Sequence, residues 1–371
     1  MNIIVSGGGT GGHIYPALTI IRAIERHVPS ARILYVGTPN GLEADIVPRE
    51  GIDFAAIELA GFERRLSFEN VLRAGRALRA LVRARGIVHD FRPDVAVGTG
   101  GYVAGPVLLA ASLAGVPTLV QEQNVFAGVT NRILSHFATA IAVGMEDARG
   151  VFPKEKTFVT GNPIRPEVLT VTRAEGAAFF GFDPTKKTVL ISGGSRGARS
   201  INRAMVEVLA HAAARQDVQY IHVTGADEHA DTLARLRARG VRLEDALHIR
   251  VLPYLYNMPQ AMAAADIAVF RAGATGLAEL AARGVPAILI PYPYAAENHQ
   301  EKNARALAAA GAAEVILNRD IGAAALEGAL HALLADDARR TEMAAAMKRL
   351  GKPEAAEEIA ALALRICKKE G

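Results

Sequence analysis

The residues best suited to chemistry in this chain stand in glycine-rich or polar runs, each directly after an apolar run. Gly7-Gly8-Gly9-Thr10-Gly11-Gly12-His13 comes first. Glycines at this density permit positive φ and let a ligand approach the backbone closely. Where such a turn opens a helix, its backbone N–H groups and the positive helix end attract an anion, typically a phosphate. His13 brings a titratable ring within reach of the same ligand. Gly98-Thr99-Gly100-Gly101-Tyr102-Val103-Ala104-Gly105, Gly193-Gly194-Ser195-Arg196-Gly197-Ala198-Arg199 and Arg271-Ala272-Gly273-Ala274-Thr275-Gly276 repeat the device. Polar clusters that packing explains poorly stand at Gln121-Glu122-Gln123-Asn124 and at Glu297-Asn298-His299-Gln300, with Asn303 beyond. They read as ligand-contacting loops. Glu279 follows the last glycine turn. It either complements a helix dipole or accepts hydrogen bonds from vicinal hydroxyls such as those of a ribose.

Positioning these groups requires strands that end just before them. Ile3–Ser6 reads as a short buried strand, and Pro16 suits the first turn of the helix after it. Ala31–Val36, Asp94–Gly98, Val116–Val120, Thr139–Val143 and Thr157–Val159 continue the pattern. Gly161-Asn162-Pro163-Ile164-Arg165-Pro166 is a linker-like break. Thr188–Ser192 then repeats the opening device of apolar strand, serine, glycine turn and helix. Gln219–Thr224, Ile249–Leu252, Asp266–Phe270 and Ala287–Ile290 follow as strands, and beyond Ile321 the pattern is helical and Ala-rich. A chain of 371 residues with this internal echo predicts two doubly wound α/β halves. In an open parallel sheet the carboxyl edges lie on one side, so neighbouring loops can share a ligand.

Composition narrows the classes. Hydrophobic residues make up 50% and charged residues 22%, which argues for a folded core and against disorder. The lone Cys367 forms no internal disulfide and fits a reducing compartment. There is no signal-peptide pattern, and no apolar run reaches the roughly 18 residues of a membrane span. Net charge is a mild +4. The most basic stretch is 64–92, with eight Arg (Arg64, Arg65, Arg73, Arg76, Arg79, Arg83, Arg85, Arg92) against Glu69 and Asp90. Val71, Leu78 and Val82 share one helical face there, with Arg73, Arg76, Arg79 and Arg83 beside it. The stretch is either a surface helix with its apolar face in the core or a basic amphipathic helix on an anionic membrane. Nucleic acid is disfavoured, since aromatic residues barely interleave with the basic ones. Gly7-x-Gly9-x-x-Gly12 matches the NAD fingerprint formally, but the next strand tip, Gly37-Thr38-Pro39, lacks the carboxylate that would hold the ribose.

Taken together, Gly8-Gly9-Thr10-Gly11-Gly12-His13, Gly100-Gly101-Tyr102, Glu122-Gln123-Asn124, Gly161-Asn162-Pro163-Ile164-Arg165, Gly193-Gly194-Ser195-x-Gly197-Ala198-Arg199, Arg271-Ala272-Gly273-Ala274 with Glu279, and Gln300 with Asn303 closely resemble the MurG family in order and spacing. The resemblance runs from residue 1 to about the last helix. It implies a GT-B fold, two Rossmann-like domains facing each other across a cleft. It also implies inverting transfer of N-acetylglucosamine from UDP-N-acetylglucosamine (UDP-GlcNAc) to the undecaprenyl-linked acceptor lipid I, giving lipid II. On this basis an N-terminal acceptor domain is expected over 1–162 and a donor domain over 163–346, with a C-terminal helix about 347–371 packing back on the first. No metal, no cofactor and no nucleic-acid partner are expected. Attachment is expected to be peripheral, on the cytoplasmic face of the membrane.

By the same resemblance, Arg165 and the Leu255 region border the uracil and Glu279 holds the ribose. Ser195 and the backbone of Ala274, Thr275 and Gly276 meet the diphosphate. Gln300, Asn124 and the Thr10, Gly11, Gly12 turn reach the sugar or its phosphates, and Tyr102 belongs to the substrate contacts. Many relatives carry a hydroxyl residue where Gly276 stands, and Thr275 or the backbone takes that contact here. The acceptor hydroxyl must lose a proton as it attacks, which makes His13 the candidate base and Glu122 the second. N–H groups at 194–198 and 274–276 would stabilise the departing UDP. A UDP-GlcNAc 2-epimerase of the same fold is the nearest rival, with an NAD-dependent oxidoreductase behind it.

Overall fold

A computed structural model describes residues 1–59 and 68–367, with the side chains of 68–77, 147, 149 and 296 left aside. The chain divides into two compact units, one of residues 1–164 together with those from Pro353 on, the other Arg165–Lys352.

The first unit alternates strands and helices: β1 (Asn2–Gly7), α1 (Gly11–His27), β2 (Arg32–Gly37), α2 (Glu43–Arg49), β3 (Asp53–Ala56), α3 (Phe68–Phe91), β4 (Val95–Gly100), α4 (Ala104–Leu113), β5 (Thr118–Glu122), α5 (Val129–Leu134), β6 (Ala140–Val143) and β7 (Thr157–Val159). All of its strand pairs are parallel, in the order β3-β2-β1-β4-β5-β6-β7. Its central strands are apolar on both faces because both are covered. Ile3, Val5, Val95, Val97 and Leu119 join one core with α1, while Ile4, Ala96, Val120 and Ile141 join another with α3 and α4.

The second unit holds α6 (Glu167–Thr170), α7 (Arg173–Phe180), β8 (Lys187–Ser192), α8 (Arg199–Ala212), β9 (Val218–Val223), α9 (Ala226–Ala238), β10 (Ile249–Leu252), α10 (Met258–Ala264), β11 (Ile267–Phe270), α11 (Ala274–Arg283), β12 (Ala287–Leu289), α12 (His299–Ala309), β13 (Ala313–Val315), α13 (Ala323–Ala335) and α14 (Asp337–Leu350). Its parallel sheet runs β10-β9-β8-β11-β12-β13. In both sheets the order reverses once, between β1 and β4 and between β8 and β11. Such a reversal opens a crevice at the carboxyl ends of the two central strands, where doubly wound folds bind ligands. The short edge strands β3 (Asp-Phe-Ala-Ala) and β13 (Ala-Glu-Val) went unread in the sequence because neither is an apolar run.

The last helix, α15 (Ala355–Cys367), belongs to the first unit. The crossing comes after Lys352, later than residue 347. Gly351 still packs on the second unit, where a Cβ would lie 2.9 Å from the Ala281 carbonyl oxygen. α15 then packs on α1, and Ile359, Ala360, Leu362 and Ala363 enter the core beneath β1. Arg26 and His27, in the last turn of α1, bind Glu357 of α15; the Arg26 guanidinium is the main cause of that carboxyl's lowered pKa. Ile359 is fully buried. Ile359→Ala is expected to cost about 2–5 kcal/mol of first-unit stability, read from the shift of a denaturant midpoint.

α3 departs from one of its two sequence readings, the surface helix with Leu78 and Val82 turned to the core. Arg64 and Arg65 lie outside the described residues, and the side chains of Glu69, Val71, Arg73 and Arg76 are among those left aside. In the described part, the face turned to the core is Ala80, Ala84, Ile87 and Val88, while Leu78 and Val82 are 64% and 66% exposed. Small alanines let α3 lie close to α4, which leaves the bulkier stripe outside. Among the described residues no helix is long and apolar enough to cross a membrane.

Candidate functional site

In the first unit the groups singled out by the sequence collect at the β1/β4 reversal. Thr10 takes the N-cap position of α1 in extended backbone without a side-chain cap, so the first amides of the helix are not closed by its hydroxyl. Pro16 falls in the second turn of α1, where it withdraws the N–H that Gly12 would have accepted. The His13 ring lies against Gly100, where an added Cβ would be 3.2 Å from its Nε2, and its Nδ1 is 3.4 Å from the Gly8 carbonyl oxygen. The His13 carbonyl accepts from Thr99 Oγ1 at 2.7 Å, tying α1 to the end of β4. Tyr102 sets its ring edge 3.3 Å from where a Cβ on Gly9 would be. Gly101 has φ +80°, and a Cβ there would lie 2.3 Å from the Gly8 oxygen, so the two glycine turns touch backbone to backbone.

Glu122 does not fit the part of a base. It is buried, and its carboxylate accepts from Asn124 N (3.0 Å), Asn124 Nδ2 (3.1 Å), Gly128 N (3.0 Å) and Asn131 Nδ2 (2.8 Å). Two oxygens with four donors have their acceptor sites filled. Glu122 is therefore the clamp that shapes the loop after β5 and presents Asn124. Beside it, Gln121 Nε2 donates to Asn162 Oδ1 (3.0 Å), and Asn162 Nδ2 donates to the Gln123 carbonyl (2.9 Å). The buried Asn131 Oδ1 has no hydrogen-bond partner.

In the second unit, Ser195 follows β8 and Ala274, Thr275 and Gly276 open α11 after β11, so they flank the other reversal. Ser195 is exposed. Gly273, the N-cap of α11, supplies no side-chain cap, and the buried Thr275 Oγ1 has no hydrogen-bond partner. A Cβ on Gly276 would meet nothing nearer than the Phe270 ring at 3.6 Å, so the site has room for a small hydroxyl side chain there. Gly197 closes the β8 turn with φ +74°; a Cβ would fall 1.8 Å from the Thr224 oxygen. That oxygen also accepts from Asn202 Nδ2 (2.9 Å), and Asn202 Oδ1 lies 3.0 Å from Nε2 of His222, whose pKa burial pushes down to about 3.

Glu279 lies in the second turn of α11, too far along to serve as a dipole partner. Its nearly buried carboxylate instead takes both nitrogens of an Arg165 fork, Nε to Oε1 at 2.8 Å and Nη2 to Oε2 at 3.1 Å. Gln300 Oε1 accepts from the Tyr292 N–H at 2.9 Å, and Asn303 Nδ2 donates to the Ala272 carbonyl at 3.2 Å. Just before them, Glu297 and Asn298 hold φ of +52° and +53°, unusual for residues with side chains. Leu255 stands apart from these groups in sheet order: it follows the edge strand β10, half-buried beside Tyr254 and Tyr256. Arg271, part of the sequence motif, is a structural tie. Its Nη1 donates to the carbonyls of Ile290 and Pro291, both at 3.0 Å, and burial pushes its pKa down to about 10.

Sequence reasoning missed Glu43. The β2 tip carries no acid in sequence, yet the first residue of α2 returns a carboxylate to it. Glu43 is fully buried and accepts from Thr38 N (3.1 Å), Thr38 Oγ1 (2.7 Å) and Gly9 N (3.2 Å). It faces inward, so it does not supply the exposed ribose acceptor of a dinucleotide fold. A glycine at each of 37 and 41 was the signal, since each makes room for this side chain.

Comparison with known proteins agrees with this architecture. The glycosyltransferase family 28 N-terminal domain matches residues 3–143 and the family 28 C-terminal domain residues 188–359. A UDP-N-acetylglucosamine–N-acetylmuramyl-(pentapeptide) pyrophosphoryl-undecaprenol N-acetylglucosamine transferase from Desulfitobacterium hafniense is 47% identical over 98% of this chain and 99% of its own length. The enzyme of the same name from Bacillus subtilis is 43% identical over 97% and 98%. Among solved structures, Acinetobacter baumannii MurG superposes with a TM-score of 0.75 at 28% identity, covering 98% of this chain and 99% of that one. A Listeria monocytogenes protein titled as a putative UDP-N-acetylglucosamine 2-epimerase reaches 0.71 at 14% identity, over 100% and 97%, a likeness of fold alone. With near-complete coverage by relatives of one name, and family 28 models matched in both halves, the chain belongs to the MurG family of GT-B glycosyltransferases.

Proposed function

We propose that this enzyme transfers N-acetylglucosamine from UDP-GlcNAc to the 4-hydroxyl of the N-acetylmuramyl sugar of lipid I, with inversion at the sugar carbon, giving lipid II and UDP. The acceptor oxygen forms its bond to C1 as the bond from C1 to the diphosphate oxygen breaks. The hydroxyl proton passes to His13, and UDP leaves with the bonding electrons. The donor lies on the second unit: the α11 start and the Ser195 turn take the diphosphate, Glu279 the ribose, Arg165 and Leu255 the uracil side, and Gln300 the sugar. Preorganised amides facing the diphosphate stabilise the charge that develops on it. Thr10, Gly11, Gly12, Tyr102 and Asn124 serve the acceptor and the transferred sugar. The observation that carries the donor assignment is the buried, partnerless Thr275 hydroxyl at an uncapped helix start beside the Ser195 turn. Buried polar atoms are rarely left without a partner, and a phosphate oxygen would supply one.

The acceptor is anchored in a bilayer, and the first unit carries a surface suited to one. Leu78 and Val82 of α3, Leu113 of α4, and Val129, Ile133 and Phe137 at α5 are all exposed, with the exposed Arg79, Arg83 and Arg132 among them. α4 packs on both α3 and α5. We assign this surface to an anionic membrane, at its cytoplasmic face, where the thiol of Cys367 would remain reduced. Neutralising Arg79 and Arg83 together to Gln is expected to weaken binding to vesicles containing anionic lipid about thirty-fold, at roughly 1 kcal/mol per basic residue. Co-sedimentation at low and high salt checks it; equal binding by the double variant would remove the assignment.

The reaction is tested by incubating the enzyme with labelled UDP-GlcNAc and a lipid I analogue, with and without chelator. Label in the lipid product, undiminished by chelator, is expected. UDP-GlcNAc incubated alone should stay unchanged; its conversion to UDP-N-acetylmannosamine would mean a 2-epimerase.

A further inference from the structure

Glu43 has no role in the reaction as described, and its setting is costly. Buried carboxylates ordinarily pair with a cation; among the described residues no basic side chain pairs with Glu43. Three glycines are shaped around it: an added Cβ would lie 2.4 Å from its side chain at Gly8, 2.6 Å at Gly37 and 2.4 Å at Gly41. Its Oε1 is taken by Thr38, which leaves Oε2 for one partner, the Gly9 N–H at 3.2 Å.

That N–H belongs to the same peptide group as the Gly8 carbonyl, and the carbonyl faces Nδ1 of His13 at 3.4 Å. A single planar unit thus has a carboxylate at one end and an imidazole at the other. It cannot turn freely, because Gly101 backs directly onto the Gly8 oxygen. A charge accepting from the N–H polarises the peptide and strengthens its carbonyl as an acceptor. The imidazole contact is long, as catalytic hydrogen bonds often are before substrate binds. The described contacts bring four other titratable groups to this end of the sheet. Tyr15 packs beside Gly11, Tyr102 beside Gly9, Tyr35 donates to the Gly7 carbonyl, and Glu122 is reached through Asn131. Of these groups, Glu43 alone shares a peptide with the His13 contact.

We propose that Glu43 is the positioning carboxylate of His13, acting through the Gly8–Gly9 peptide to hold the ring as its Nδ1–H tautomer with the basic lone pair on Nε2. The arrangement does the work of a carboxylate–imidazole pair with one peptide inserted between the partners. It rests on His13 being the base, but its test does not depend on turnover. The full-length enzyme, labelled with 15N-histidine, is titrated without substrate, and the His13 signals are assigned by their loss in His13→Ala. The wild type should show His13 as the Nδ1–H tautomer. In Glu43→Gln one amide oxygen cannot serve both Thr38 and Gly9. His13 should there become a mixture of tautomers with its pKa lower by about one unit. kcat should fall roughly ten- to a hundred-fold, KM for UDP-GlcNAc should stay within about two-fold, and the acid limb of kcat/KM should move with the ring. A wild-type His13 found as the Nε2–H tautomer overturns the proposal even if Glu43→Gln does not fold. So does a folded Glu43→Gln enzyme with unchanged His13 shifts and titration. Unchanged spectra in an active enzyme leave the transfer reaction standing; altered spectra in an enzyme inactive from the outset would instead count against that reaction.

Discussion

Replacing His13 with alanine is expected to lower kcat for transfer by about two to four orders of magnitude, with KM for UDP-GlcNAc within a few-fold of wild type. General-base removal is worth roughly that much when the nucleophile is a sugar hydroxyl, which is a poor nucleophile until its proton is taken. The loop itself should survive. What ties it down at this residue is backbone: the His13 N–H donates to the Thr10 carbonyl at 3.0 Å, and the His13 carbonyl accepts from Thr99. The loss should therefore appear in kcat and in single-turnover rate, not in thermal stability or donor binding. Transfer at the wild-type rate by a folded His13→Ala enzyme would exclude His13 as the base. Glu122 would not inherit the role, since all four of its acceptor positions are filled.

The second large effect is expected at Glu279. A carboxylate offers about four acceptor sites, and the Arg165 fork takes two of them, leaving two for the vicinal hydroxyls of a ribose. Glu279→Gln keeps the volume but gives up the charge and one acceptor, and it leaves Arg165 without its counter-ion. Charge-assisted hydrogen bonds are worth about 1.5–3 kcal/mol each. KM for UDP-GlcNAc should accordingly rise by roughly ten- to a hundred-fold, with kcat at saturating donor much less affected. The hydroxyl contact is separable from general damage. Wild-type enzyme should bind UDP better than its 2′,3′-dideoxy analogue, and Glu279→Gln should bind the two alike. If the variant still discriminates between them by the wild-type margin, Glu279 does not hold the ribose.

How much of the site could be read in advance depended on the range of the interaction involved. The glycine turns after β1, β4, β8 and β11 were visible because a short, largely apolar run closely followed by glycine is a local pattern, and its consequences are local too. The same is true of the two-domain α/β plan, which follows from the alternation of strand and helix and from the echo between residues 3–13 and 188–199. Which stripe of α3 is buried was left open by the sequence for a reason of degree. Periodicity identifies stripes but does not rank them, and close packing on α4 favoured the narrower stripe of Ala80 and Ala84 over Leu78 and Val82. Glu122 was correctly seen as unusual and wrongly given a task, because its four donors come from residues two to nine places along a loop whose path the sequence does not disclose.

The residues alone determined the fold class, the two halves, the glycine turns at the strand ends and the presence of a titratable ring at the first of them. Each of these follows from steric and hydrogen-bonding preferences expressed within a few residues along the chain. Only the tertiary structure decided which groups meet. It brought Glu43 back under Gly9, joined Arg165 to a carboxylate in α11, left the Thr275 hydroxyl without a partner and laid α15 on α1 across more than three hundred residues of chain. Such contacts are set by how whole layers pack, and the free energy that selects them is spread over both cores and written in no single segment.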